Sequence, residues 1–575
     1  MRFVSSITTS DFRILREDRQ TYVDKTASIA RALTAPQRVL LFPRPRRFGK
    51  TLWMSTFEAF VERRSDADPG EQEDERAALF GDLAIWRDED ARAHAGRYPV
   101  VSMTFKDIKS STWERCLEGV NAVMADAFLA HDYLRPGLAG NKARIFDAVS
   151  DGTASQTQLA YSLVVLTEAL HRYHGERVVL LIDEYDLPIH AAYSHGYYEE
   201  AIELFRNFLS GGCKDNSQLF KGILTGILRV AKESIFSGLN NLEVYSLLNP
   251  EYADSFGFTE SEVEELARLA EAQEHLDTLR TWYNGYHFGD QVIYNPWSVL
   301  KFLGSRDKSP QAYWVQTGSD QIIRDLIERG GLGDLSEQEA LLRGDEIEAD
   351  VSEALSLRDV ELQANAALSL LLFSGYLTAT DVQYGDRYPR VRLRIPNREV
   401  ATLYADIVLG WWETGLAARG GAARSRDVLD AFLTALLAGD GDRVERHLER
   451  LLIDHVSHHD LPRPAAELPY HMFVLGLLVH LAGDYDVRSN RESGYGRADV
   501  LLIPRRPGEP GVVIELKTID PERDGTPEAA LDRAMAQIDE RDYAAELRAR
   551  GAGPIRAYAA AFERKRAHVR VRSEP

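Results

Sequence analysis

A chain of 575 residues holds about four domains at roughly 150 residues each, or two or three if its α/β units are large. Its 44% apolar and 27% charged residues exclude disordered, collagenous and coiled-coil classes for the bulk of the chain. With 68 Lys and Arg against 89 Asp and Glu, the net charge is −21, which excludes a general polyanion coat, so any nucleic-acid contact must use local basic patches.

The first residues, Met-Arg-Phe-Val-Ser-Ser-Ile-Thr, lack the long apolar core of a secretory signal. The longest apolar stretch, near Phe473–Leu481, is well short of the ~20 residues that a spanning helix needs. Cys116 and Cys213, the only two cysteines, cannot build a disulfide scaffold or a Cys-rich zinc site. These features predict a cytoplasmic protein with no membrane partner.

In chain order, Val39–Phe42, Pro99–Phe105, Val178–Ile182 and Leu219–Leu228 are apolar runs without alternation. Such runs, separated by amphipathic segments, predict a parallel sheet with helices on both faces, an α/β domain. From about Phe258 to Leu409 the pattern is mostly helical, with aromatic-rich loops at Trp282–Tyr286 and Tyr294–Trp297. A helix end at Leu371–Leu377 and a small β element at Tyr388–Ile395 follow. Arg419-Gly420-Gly421 interrupts the helical pattern and marks the likeliest boundary. Beyond it, helix is expected at Val428–Asp454 and Tyr470–Leu481, strand at Arg497–Ile503 and Val512–Lys517, and one helix over Thr526–Leu547. The organisation expected is therefore 1–257, 258–414 and 415–575.

The first strand runs into Arg44-Pro45-Arg46-Arg47-Phe48-Gly49-Lys50-Thr51 and the helix Leu52–Glu62. The Gly-Lys-Thr tail is that of a Walker A loop. Backbone N–H groups of Arg46, Arg47, Phe48 and Gly49 would cradle phosphate oxygens at a helix N-terminus. Lys50 would reach the β/γ-phosphates and the Thr51 hydroxyl would bind Mg²⁺. Arg44 stands where the pattern has its first glycine. A three-residue match can also be a simple helix start, but the apolar strand before it and the apolar-faced helix after it are the setting a phosphate loop requires.

At the end of the third run, Val178–Ile182, lie Asp183 and Glu184. Ligands of open α/β sheets bind at that end of the strands, so Asp183 is expected to hold Mg²⁺ and Glu184 to polarise the attacking water. The alternative is a strand ending in a solvated acidic turn. Thr225, in the fourth run, is a candidate sensor of the γ-phosphate and Arg229, just after it, a candidate sensor or arginine finger, though Thr225 is equally a β-branched strand filler and Arg229 a surface charge. The strand Pro99–Phe105, between the two motifs in sequence, together with the Asp-Glu pair resembles the ASCE branch of P-loop ATPases.

Near the C-terminus, Asp499 leads into the strand Val500–Ile503. The turn Pro504–Gly511 is rich in Pro and Gly, and the return strand carries Glu515 and Lys517. Read as a hairpin, this brings Asp499 near Glu515 and Lys517, with Leu516 turned to the core. Two carboxylates can bind Mg²⁺, with Mn²⁺ as an alternative, and the lysine can position water. Gln537 and Tyr543 follow on a helix, and Glu492 is a further acidic candidate. The pattern resembles the PD-(D/E)XK nuclease arrangement. An ordinary hairpin with charges on its exposed face is the competing reading.

Together with Tyr22-Val23-Asp24-Lys25-Thr26, Ile182-Asp183-Glu184-Tyr185-Asp186, Ser237-Gly238-Leu239-Asn240-Asn241, Trp282-Tyr283-Asn284-Gly285-Tyr286 and Arg488–Arg497, these motifs resemble the AAA-ATPase-like proteins that end in a PD-(D/E)XK nuclease domain. The resemblance covers nearly the whole chain, and in that family an Arg-Pro-Arg-Arg-Phe-Gly-Lys-Ser/Thr loop is normal. It implies a P-loop domain that binds ATP, a helical and winged-helix-like middle, and a metal-dependent nuclease end acting on nucleic acid, DNA first. The basic tail Arg556–Arg572 and the turn residues Arg505-Arg506 favour phosphate contact, although such a tail can equally be a solvated helix or strand end. The alternative function is a STAND-like signalling ATPase whose nuclease fold serves only for binding. Homo-oligomerisation is compatible with either.

Overall fold

The structure, a computed structural model, describes the chain except residues 1–2, 6, 8, 65–68, 230–240, 315–336, 338–339, 343, 355–356, 358–363, 386–387, 405–421, 456–467, 479–480, 482–483, 494–495, 520–525 and 575. The expected boundary at Arg419-Gly420-Gly421, most of Ser237–Asn241, and Gly494-Tyr495 thus lie outside the described residues. The chain divides into two compact units, Met1–Ile322 with Glu348–Asn397, and Ile323–Ile347 with Arg398–Pro575.

The first unit is built on a five-stranded sheet: β1 Val39–Pro43, β2 Val100–Thr104, β3 Val178–Asp183, β4 Leu219–Gly226 and β5 Leu242–Val244, in the order β2-β3-β4-β1-β5. Every pairing is parallel. β1 and β3 are buried at each position, which is why they read as unbroken apolar runs. Helical crossovers, among them Lys50–Val61, Gln156–His174 and Tyr198–Cys213, return the chain to the same edge, as parallel pairing demands. β2 takes the edge beside β3, and β4, late in sequence, sits between β1 and β3. The loop after β1 and the carboxylates after β3 therefore share the C-terminal edge, two strand spacings or ~10 Å apart.

In the same unit, the helices Glu260–Leu269, Leu276–Tyr283 and Pro296–Gly304 pack through Val263, Leu266, Tyr283, Val299 and Phe302. The hairpin β6 Tyr286–Phe288 and β7 Gln291–Ile293 lies between them in sequence. β8 Ile347–Asp350, β9 Thr378–Tyr384 and β10 Pro389–Arg394 form a small sheet ordered β8-β10-β9, with the helix Ala364–Ser374 between β8 and β9 in sequence. β9 and β10 pair antiparallel.

The second unit holds β11 Tyr485–Ser493, β12 Gly496–Pro504, β13 Gly511–Thr518, β14 Ile555–Glu563 and β15 Arg566–Glu574, in that spatial order. β13 and β14 are parallel and the other neighbours antiparallel. Helices Ala422–Ala438, Gly441–His455 and Leu468–Leu478 cover one face through Phe432, Leu448, Phe473, Ile514 and Tyr558. Helices Pro527–Glu540 and Ala545–Ala549 cover the other through Ile538, Tyr543, Leu547 and Val513.

Two expectations change here. The single helix over Thr526–Leu547 is two helices, broken where Asp542 takes φ 47°, and no Gly or Pro announces the break. The basic tail is not a solvated end. It is β14, whose Ala559, Ala560 and Ala561 are buried between β13 and β15, and the edge strand β15. Along that edge, Glu445 accepts the N–H of Val569 at 2.8 Å and Glu449 that of Ala567 at 3.4 Å.

Candidate active sites

The loop after β1 turns through Arg47 at φ 67° and Gly49 at φ 89°. Both are left-handed, a region costly to any residue but glycine. Lys50 begins the following helix and is 3% exposed. Its Nζ lies 3.0 Å from the Arg44 carbonyl, 3.2 Å from that of Pro45 and 3.2 Å from Glu184 Oε1. The Thr51 hydroxyl donates to Asp183 Oδ2 at 2.7 Å, and the Thr225 hydroxyl donates to Asp183 Oδ1. Five residues spread from 50 to 225 in sequence thus meet at one edge of the sheet.

Glu184 sits at φ 53° with Oε2 buried and unpartnered. Burial pushes its carboxyl up, with Lys50 pulling the other way. Arg229 is half-buried just beyond β4, and its Nε is buried without a hydrogen-bond partner.

Arg44, the departure from the glycine pattern, anchors the loop. It is fully buried and donates to the carbonyls of Pro43 at 2.9 Å, Tyr245 at 2.6 Å and Tyr252 at 3.3 Å. Its guanidinium lies 5.2 Å from the Phe256 ring and 5.4 Å from that of Phe288. Burial lowers its pKa to about 9.

The middle region grips the rest of the loop. Phe48 packs against Tyr286 and Phe288 with ring centres 4.9 and 5.3 Å away. Trp314 Nε1 donates to the Arg46 carbonyl at 3.0 Å. The Arg47 guanidinium stands 4.1 Å over Trp297, a cation–π contact. At Gly375, φ 89°, a Cβ would come within 2.9 Å of Pro45. Lys50, Thr51, Glu184, Val23, Phe258 and Trp297 line a cavity of about 580 Å³, within the usual size of a small-molecule site.

In the second unit, Asp499 on β12 and Glu515 and Lys517 on β13 come together, as the hairpin reading requires. Asp499 Oδ2 accepts the N–H of Leu516 at 2.7 Å. Lys517 Nζ lies 2.8 Å from Glu515 Oε1, while Glu515, 1% exposed, keeps Oε2 buried and unpartnered. Burial, then the charge of Asp499, pushes the Glu515 carboxyl up to about 7, against the pull of Lys517. Gln537 lies on the covering helix Pro527–Glu540, where its amide donates to the Tyr543 hydroxyl at 3.1 Å. Glu492 is on β11 in register with Arg497.

His471 escaped the sequence reading. It is buried on the helix Leu468–Leu478, with Nε2 2.9 Å from the Asp499 carbonyl oxygen. A lone histidine in an apolar helix gives no signal for such a role.

Among the described residues no group of three or more His, Cys, Asp and Glu is arranged to hold a metal ion by itself. The donors at hand are oxygens, Thr51 with Asp183 and Asp499 with Glu515. Such sets suit a hard cation completed by water and phosphate oxygens, not zinc. The unpartnered Glu515 Oε2 beside Asp499 fits that assignment, since a buried carboxylate oxygen lacks a compensating bond until a cation arrives. Of the basic tail, Arg570 pairs with Asp532 and Arg572 with Asp539, so those two charges are already engaged. Arg505 and Arg506 remain exposed in the β12–β13 turn.

Residues 6–236 match a family model described as predicted AAA-ATPase, and residues 465–571 match one described as the PD-(D/E)XK nuclease superfamily. The chain is also similar to a protein of Azotobacter chroococcum mcd 1 described as "Uncharacterized protein in vnfD 5'region". The two are 27% identical over 571 residues, 96% of this chain and 95% of the relative.

Proposed function

From the premise that this chain joins an AAA-ATPase-like domain to a PD-(D/E)XK nuclease-superfamily domain, we propose that it binds and hydrolyses ATP and couples this to metal-dependent cleavage of nucleic acid, DNA in the first instance. The observation that carries the reading recurs in each unit: a glutamate beside a lysine, with one carboxylate oxygen buried and unpartnered, Glu184 with Lys50 and Glu515 with Lys517. An acid held in this way is poised for a cation or a proton that the free fold does not supply.

In the first unit, the backbone of Arg46, Arg47, Phe48 and Gly49 cradles the phosphates and Lys50 turns from its loop carbonyls to the β/γ-phosphates. Thr51 and Asp183 would hold Mg²⁺. Glu184 orients and deprotonates water, a role suited to its raised pKa, and Thr225 and Arg229 sense the γ-phosphate. In the second unit, Asp499 and Glu515 would hold Mg²⁺ or Mn²⁺. Lys517 orients water, with Gln537 steadying that arrangement from the adjoining helix. The cation, when bound, neutralises phosphate charge and lowers the pKa of water.

Purified chain incubated with duplex DNA, single-stranded DNA or RNA, with Mg²⁺ or Mn²⁺ and with or without ATP, tests the reading. Metal-dependent cleavage that ATP alters supports it. Intact polymers under every condition refute it.

Two further outcomes are expected. Glu184→Gln retains ATP binding but loses about 10²–10⁴-fold in turnover, the usual worth of a general base. Equal turnover in a phosphate-release assay removes Glu184 from that role. The second concerns pH. Glu515 must be ionised to hold a cation, and its pKa is raised to about 7. A raised carboxyl favours the fold below its unfolded value, and that contribution is lost as pH climbs to about 7. The rise in Tm on adding Mg²⁺ should therefore be larger at pH 8 than at pH 6, and Glu515→Gln should erase the difference. A shift independent of pH in the wild type contradicts it.

A further inference from the structure

Asp186 is fully buried, three residues beyond Asp183, and has no part in the chemistry above. Its Oδ2 accepts two backbone N–H groups, those of Ile227 and Leu228, both at 2.9 Å. Nε2 of His190, one helical turn on, lies 3.4 Å from the same oxygen. Its neighbour Tyr185 is also fully buried and donates its hydroxyl to the Leu228 carbonyl at 2.6 Å. The Tyr185 N–H is bonded to the Thr225 carbonyl at 3.1 Å. The contact is close enough that a Cβ on Gly226 would come within 2.5 Å of Asp186 Oδ1. The turn after β3 thus fastens the exit of β4 through four hydrogen bonds, over Thr225 to Leu228. Arg229, with its Nε buried and unpartnered, is the next residue.

We propose that Asp186 is a positioning residue of the nucleotide site, its carboxylate latching the exit of β4 to the turn that carries Asp183 and Glu184. Burying a carboxylate is costly unless hydrogen bonds compensate it, and here two of them are spent on backbone that leads to Arg229. The latch makes Thr225 and Arg229 move with Glu184. A change at the γ-phosphate that shifts Glu184 is thereby passed to Ile227, Leu228 and Arg229 without a direct contact. Glu184 itself sits in the left-handed region between the two elements, a strained conformation that the surrounding bonds must hold. The proposal rests on the ATPase reading above.

Asp186→Ala and Asp186→Asn in the full chain separate latch from bulk fold. An asparagine can place its carbonyl oxygen where Oδ2 accepts both N–H groups, whereas alanine cannot. Asp186→Ala is expected to lower ATP turnover by at least about tenfold while the Kd for ATP changes less than threefold. Asp186→Asn should remain within threefold of wild type in both. Tyr185→Phe, which removes one bond of the same latch without touching a charge, should lower turnover in the same sense and spare binding, and it serves if Asp186→Ala fails to fold. Wild-type turnover in Asp186→Ala overturns the latch. So does a parallel loss of binding and turnover, which marks a merely structural role, or a loss in Asp186→Asn equal to that in Asp186→Ala. Failure of the wild type itself to bind ATP is a different result, and overturns the ATPase reading together with the inference.

Discussion

Lys50→Ala should raise the Kd for ATP by about 100-fold or more and remove nucleotide-dependent thermal stabilisation. An ammonium ~4 Å from a phosphate at an effective dielectric constant near 20 contributes about 4 kcal/mol, and each 1.4 kcal/mol is tenfold. The fold should tolerate the change. Lys50 is buried against Glu184, but burial already pushes that carboxyl up, so it can take a proton when its cation is removed. Circular dichroism unchanged beside a lost calorimetric binding signal is the expected pair. Wild-type affinity in the variant would place the triphosphate elsewhere and end the nucleotide assignment.

Glu515→Gln should cut nucleic-acid cleavage by about 10³-fold or more, because the metal's share of transition-state stabilisation is several kcal/mol and a neutral amide is a poor ligand for a hard cation. Metal-free stability should move in the opposite direction. Glu515 is 1% exposed with one oxygen unpartnered, so replacing its carboxylate with an amide relieves a buried charge. The Tm without metal should be unchanged or higher in the variant. A variant that is inactive and also several degrees less stable would mark Glu515 as a structural ion-pair partner of Lys517.

Much of this was legible in the residues. Unbroken apolar runs gave away β1 and β3 because parallel strands are buried on both faces, and Gly49-Lys50-Thr51, Asp183-Glu184 and Asp499…Glu515-x-Lys517 were visible because each is compact in sequence. Arg44 was visible only as an irregularity. Its function depends on carbonyls of Tyr245 and Tyr252, some 200 residues away, and no local pattern encodes them. Asp186 was visible only as a motif residue and His471 not at all, for the same reason, since their partners lie at Ile227 and Leu228 and at Asp499. The Trp282–Tyr286 and Tyr294–Trp297 loops drew notice as aromatic clusters, but that Tyr286 and Trp297 contact the phosphate loop follows only from packing. The break at Asp542 had no Gly or Pro to announce it, and the buried strand Ile555–Glu563 was legible only by its basic charge because its pairing with β13 is not written in the local sequence.

The pair Glu445 and Glu449 has a bearing on solution behaviour. β15 is the last strand of its sheet, and open strand borders invite a second molecule to continue the ladder. Here two N–H groups of that border, those of Val569 and Ala567, already have carboxylate acceptors. A copy docking there would have to evict both acids, so β-augmentation through this rim is a poor route to polymers or fibres.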